Sequence, residues 1–155
     1  MTSALQPLVI GIGNLQRGDD GVGYRIAEAL LSERPDSYRV FPTHQLMPET
    51  AELIAVSSRV LFIDSTIANP CCLPCSSPCL ETLQPRPLAT SSWSHHCTPP
   101  GLLTMAEALY AARPPAWQLL IPSLHYNHGV ELSPLTATAA VMALSLAHAW
   151  GCSHA

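Results

Sequence analysis

The chain has 155 residues, a formal net charge of −4 with histidines neutral, and 7 Lys and Arg against 11 Asp and Glu. That length suits one domain, residues 1–155, large enough for a sheet covered on both faces, and the charge leaves no basic footprint for nucleic acid. Hydrophobic residues make up 48% and charged residues 12%, so the surface is sparsely charged, which fits either a thick core or an apolar docking patch.

The first seven residues lack a basic region and an export-length apolar core, and the longest later apolar stretch, about residues 137–150, carries Ser145 and His148 and reads as too short to span a bilayer. The expected location is therefore the cytoplasm, with no membrane partner.

Leu8, Val9 and Ile10 form a short β-branched apolar run that reads as a buried strand of a parallel sheet. Gly11, Gly13, Gly18, Gly21 and Gly23 then free a turn from Cβ bulk, and Val22, Ile26 and Leu30 mark one face of a following helix. Asp19 and Asp20 stand just before that helix. A dinucleotide turn would need a third glycine at position 16, which is Gln, and two carboxylates there would repel a pyrophosphate. Two readings stay open: one aspartate caps the helix, or a carboxylate works at the carboxyl end of a strand, where ligands of open α/β sheets collect.

Tyr38 to Phe41 reads as a second strand, followed by Pro42 to Ile54, in which Pro48 suits a first helical turn and Leu53, Ile54 and Val56 give a short helix its apolar side. Arg59 to Asp64 is a third, buried strand ending in a carboxylate. Asp64 there reads equally as a crevice group or as a turn residue closing the strand.

Residues 65–101 hold seven prolines, too many for a long helix, and read as an edge wrap or a binding loop with a short edge strand at Cys79 to Leu83. Cys71, Cys72, Cys75 and Cys79 crowd into this loop. The Cys72-x-x-Cys75 spacing suits zinc or a redox couple, yet no second pair follows, and a reduced loop is the expectation. His95 and His96 precede a helix from Gly101 to Ala112 with a stripe of Leu102, Leu103, Ala106 and Leu109. Adjacent loop histidines suit metal ligation or proton transfer, or else one packs while the other meets solvent. Ala116 to Pro122 suits another strand. His125 and His128 read as solvated turn residues, and Ser133 and Pro134 open a long Ala-rich helix to about Trp150.

Gly11-Ile-Gly-Asn14 with Gly18-Asp-Asp-Gly-Val-Gly23 resembles the N-terminal signature of the hydrogenase maturation proteases, which trim the C-terminus of the nickel-iron hydrogenase large subunit. The resemblance extends through His44-Gln-Leu-Met-Pro48-Glu, Asp64, Ser94-His95 with Pro99 and Leu102-Leu103, and Gly129-x-Glu-Leu-Ser-Pro134, over residues 8–150. It implies Asp20, Asp64 and His95 as catalytic and metal-coordinating residues. Asp20 stands where many members carry Glu, and His96 is the alternative ligand one residue on. It further implies that His44, Gln45, Leu46 and Pro48 contact substrate.

The strand and helix alternation predicts an α/β fold, a three-layer α/β/α sandwich around a mostly parallel twisted sheet of about five strands. The resemblance implies an endopeptidase, aspartic-type or metal-assisted, that removes a C-terminal extension from the nickel-loaded precursor of the hydrogenase large subunit. A non-catalytic nickel-sensing chaperone of the same precursor is the alternative. The nickel is expected to arrive with the precursor, with no tightly bound cofactor in the free protein.

Overall fold

The computed structural model describes residues 4–67, 77–87 and 97–154. Cys71, Cys72, Cys75, His95 and His96 lie outside the described residues.

Five strands, β1 (Leu8–Ile12), β2 (Arg39–Thr43), β3 (Val60–Ile67), β4 (Cys79–Leu83) and β5 (Ala116–Ser123), form one sheet in the order β2-β1-β3-β5-β4. All neighbours run parallel except β4, which pairs antiparallel with β5 at the edge. The helices are α1 (Val22–Ser32), α2 (Thr50–Ala55), α3 (Pro99–Tyr110) and α4 (Pro134–Cys152).

Strand period sorts the apolar residues onto two faces. Leu8, Ile10, Val60 and Phe62 meet Ala51 and Ile54 of α2 and Leu102, Leu103 and Ala106 of α3. Their neighbours Val9, Leu61, Ile63, Leu119 and Ile121 meet Val22, Ile26 and Leu30 of α1 and Ala139, Ala143 and Ala147 of α4. A sheet buried on both faces explains why β1 reads as an unbroken apolar run, every one of its residues being buried. Burying a side chain such as Phe62 or Ile63 contributes roughly 1.5–3 kcal/mol.

Small differences from expectation have local causes. Pro134 begins α4 and Ser133 caps it, its hydroxyl accepting from the Thr136 amide. Thr98 caps α3, which begins at Pro99, two residues before the expected Gly101, and Leu109 is 68% exposed. The expected stripe of α3 therefore ends at Ala106. Extending to Cys152, α4 has 19 residues and a mean hydropathy of 1.3, so by length and composition it is long enough to cross a membrane, contrary to the expectation that this stretch is too short. One face of α4 is taken by packing on β5 and α1, with Thr136, Ala139, Ala143, Ala147 and Gly151 buried.

The register sets the functional edge. Pairing of β1 with β3 stops at Gly11 opposite Ile63, whereas β3 and β5 continue together to Ile67 opposite Ser123. Just beyond β1 the chain turns to one side through α1 into β2, while β3 and β5 lie on the other side. That divergence opens a crevice at the carboxyl ends of β1 and β3.

Candidate active site

Glycines bring the first acidic turn down onto this crevice. A Cβ on Gly13 would lie 2.1 Å from the carbonyl oxygen of Asp20, and one on Gly23 would lie 2.4 Å from the Ile12 oxygen and 2.5 Å from the Ile63 oxygen. Both distances are far inside van der Waals contact, so only glycine lets α1 sit directly over the ends of β1 and β3. A 3-10 turn, Gly18–Gly21, fills the gap between strand and helix.

That turn separates the two aspartates by role. Neither caps α1, whose N-cap is Gly21 without a side-chain bond, which corrects the capping alternative: the interposed turn carries both carboxylates away from the helix end. Asp19 is fully buried. Its carboxylate accepts from the Leu124 amide at 2.9 Å, the Ser133 amide at 2.7 Å and the Ser133 hydroxyl at 2.8 Å. Burial pushes its pKa up, but the hydrogen bonds from Leu124, Ser133 and Thr136 together outweigh burial and hold it below the usual carboxylate value. Asp19 thus works as a buried anchor.

Asp20 remains half-buried, its Oδ2 accepting from the Asn14 amide at 3.3 Å, and its charge reaches Asp64. Asp64 lies within β3 rather than at its tip, one residue past the last pairing with β1, because β5 carries β3 onward. Burial pushes the Asp64 carboxyl up to about 6. The Ser65 amide, donating to Oδ1 at 2.8 Å, pulls against this, and the negative charge of Asp20 adds to the rise. The two expected carboxylates therefore share one electrostatic environment at one sheet edge.

A carboxyl raised to about 6 beside a second carboxylate is suited to acid-base chemistry, since it exchanges protons close to neutral pH. The same pair of oxygens, one of them held against its own charge, also suits a divalent cation, which would relieve the repulsion. Among the described residues no three His, Cys, Asp or Glu side chains come together as a metal-holding group. The expected third ligand, His95 or its alternative His96, lies outside them.

The segment expected to touch substrate follows β2 on the same edge. His44 stacks on Tyr24, rings 4.5 Å apart and 5° from parallel, and its Nδ1 donates to the Gly13 carbonyl at 3.1 Å. Gln45 and Pro48 are exposed. Leu46 is 4% exposed and packs in the core between the sheet and α2, which corrects the expectation of substrate contact at that position: its apolar side chain supports the wall from behind.

The loop from β5 to α4 approaches the first acidic turn, and sequence reasoning noted its histidines and its Gly129-x-Glu-Leu-Ser-Pro134 stretch but not Tyr126. Gly18, in a left-handed conformation at φ 55°, donates to the Gly129 carbonyl at 2.8 Å, and the Gly129 amide returns a bond to Gln16 at 2.9 Å. Arg25 donates to the Val130 carbonyl. A groove of about 490 Å³ between these segments is lined by Gly18, His125, Asn127, His128 and Glu131. In this loop the Tyr126 hydroxyl accepts from Ser65 Oγ at 2.9 Å. The position of Tyr126 just past the carboxyl end of β5 was the available signal, since that edge gathers ligands.

No protein-family model matches the chain, and a search of curated proteins found no match. Solved structures share its fold. A [NiFe] hydrogenase maturation protease HybD from Thermococcus kodakarensis superposes with a TM-score of 0.71 at 16% identity, covering 95% of this chain and 99% of that one. The hydrogenase maturating endopeptidase HybD from E. coli gives 0.66 at 19% identity, over 94% and 91%. A hydrogenase 2 maturation peptidase from Thaumarchaeota archaeon SCGC_AB-539-E09 gives 0.67 at 21%, over 96% and 99%.

Proposed function

We propose that this chain, which has the fold of solved hydrogenase maturation proteases, is itself an endopeptidase that removes a C-terminal extension from the nickel-loaded precursor of a nickel-iron hydrogenase large subunit. The observation that carries the reading is that Asp20, in the turn after β1, and Asp64, in β3 one residue past its last pairing with β1, lie close enough for the charge of Asp20 to help raise Asp64 to about 6. The glycine-acid motif and the full-length likeness to named proteases support it.

In this reading Asp20, Asp64 and His95, or His96 in its place, face the nickel that the precursor brings, and nickel is part of the substrate. Two carboxylates at one edge gain from a nearby cation, so a loaded precursor docks better than an empty one. The free protein holds no resident cofactor, and its working compartment is the cytoplasm. Hydrolysis then needs a base near the scissile bond. Asp64 as the carboxylate takes a proton from water as the water oxygen bonds to the peptide carbon and the carbonyl π pair moves onto oxygen. Collapse restores the carbonyl and breaks the carbon-nitrogen bond, and the proton held by Asp64 passes to the departing amine.

The test is the mass of a large-subunit precursor, with and without nickel, after incubation with wild type, His95→Ala, His96→Ala and Asp64→Asn. Nickel-dependent loss of a C-terminal peptide, absent with Asp64→Asn and with one of the two histidine variants, is the expected result. Binding of the nickel-loaded precursor without any mass change would replace the peptidase reading with that of a chaperone.

A further inference from the structure

We propose that Tyr126 is a further catalytic residue of this site, donating a hydrogen bond from its phenol to the carbonyl oxygen of the peptide bond that is cut. The inference rests on the endopeptidase reading above and deepens it.

Three observations lead to Tyr126. First, its hydroxyl is tied to the acidic edge: Ser65 Oγ donates to it at 2.9 Å, and the amide of that same Ser65 donates to Asp64 Oδ1 at 2.8 Å. One residue therefore fixes both the proposed base and the phenol. Secondly, Ser65 Oγ is the hydrogen-bond partner of the phenol among the described residues, and with that hydroxyl donating, the phenol proton has no acceptor there. A hydroxyl that accepts one bond is polarised to donate the next more strongly. Thirdly, the phenol keeps that proton. Burial raises its pKa above the ordinary value, the Ser65 bond works against this, and the charges of Asp20, Asp64 and Asp19 add to the rise.

The chemistry of the edge calls for such a group. Asp20 and Asp64 supply acceptors and negative charge, whereas a peptide carbonyl about to take water needs a donor aimed at its oxygen. A neutral phenol gives a hydrogen bond without a second titrating charge, and the rigid ring on a loop anchored at both ends needs little reorganisation. The anchors are the Gly18 and Gly129 bonds on one side and the Asp19 bonds to Leu124 and Ser133 on the other.

Cleavage of the nickel-loaded precursor by Tyr126→Phe separates this role from a structural one. The expected result is a fall in kcat of about 10²-fold, the scale of one lost donor to a developing oxyanion, with KM, precursor binding and melting temperature close to wild type. Ser65→Ala, which keeps the phenol but removes the hydroxyl that polarises it, is expected to lower kcat about fivefold, between the two. A Tyr126→Phe protein that cuts at the wild-type rate overturns the inference. So does a loss confined to KM, or a loss of kcat that follows the unfolded fraction in both variants. If the wild type itself binds the loaded precursor and leaves it uncut, the endopeptidase reading falls and takes this inference with it.

Discussion

The carboxylate of Asp19 accepts from both the amide and the hydroxyl of Ser133, two residues 114 positions apart, at 2.7 and 2.8 Å. This buried clasp joins the turn that carries Asp20 to the cap of α4, so the site depends on a contact between the two ends of the chain. Asp19→Ala leaves the Leu124 and Ser133 amides without their partner and is expected to cost about 3 kcal/mol, from roughly 1–3 kcal/mol per orphaned buried donor. Thermal unfolding measures it, with a drop of about 10 °C expected for a domain of this size.

The same carboxylate predicts a pH dependence. With its folded pKa below the ordinary 3.8, Asp19 adds stability that is present above that value and lost as pH falls through the lower folded one. Wild type and Asp19→Asn compared by denaturant unfolding should therefore differ most near neutrality and converge under strong acid. A gap that stayed constant down to the lowest pH would contradict the clasp.

Asp64 has the opposite sign. Its pKa is raised from 3.8 to about 6, so the fold prefers the protonated carboxyl; the stabilisation is complete below 3.8 and is lost as pH rises through 6. A shift of about two units corresponds to about 3 kcal/mol. Asp64→Asn is expected to be more stable than wild type at pH 8, by up to that amount, and equal to it at pH 3, while cutting no precursor. Melting curves of the two proteins across this range check the sign.

Gly13 faces the backbone of Asp20 so closely that a methyl group would sit 2.1 Å from its carbonyl oxygen. Gly13→Ala must push the acidic turn off the strand. The expected outcome is loss of cleavage by more than about tenfold, since small misplacements of reacting groups carry large kinetic penalties, together with a lower melting temperature. Unchanged kcat in Gly13→Ala would mean that Asp20 tolerates displacement.

Leu46 separates wall from core within the segment after β2. Leu46→Ala is expected to lower stability by about 3 kcal/mol, within the range for truncating a buried leucine, and to leave the KM of the folded protein unchanged. An altered KM with full stability would return Leu46 to the substrate surface.

The sequence by itself determined the layers and much of the edge. The unbroken apolar runs at Leu8 and Val60, read as buried strands, are strands, Cys79–Leu83 forms the expected edge strand, and the Ser133 and Pro134 start of α4 stands where local capping chemistry puts it. Periodicity, glycine placement and capping are local, so they are legible along a chain. Tertiary structure decided what depended on distant partners. It made Asp19 an anchor and left Asp20 to the crevice, because Leu124 and Ser133 arrive only when β5 and α4 pack. Likewise it carried β3 past Asp64 through pairing with β5, buried Leu46 while leaving Leu109 outside, and brought Tyr126 to Ser65. Hydrogen-bond geometry and burial belong to the packed molecule, and two adjacent aspartates of identical chemistry diverge only when each meets its own surroundings.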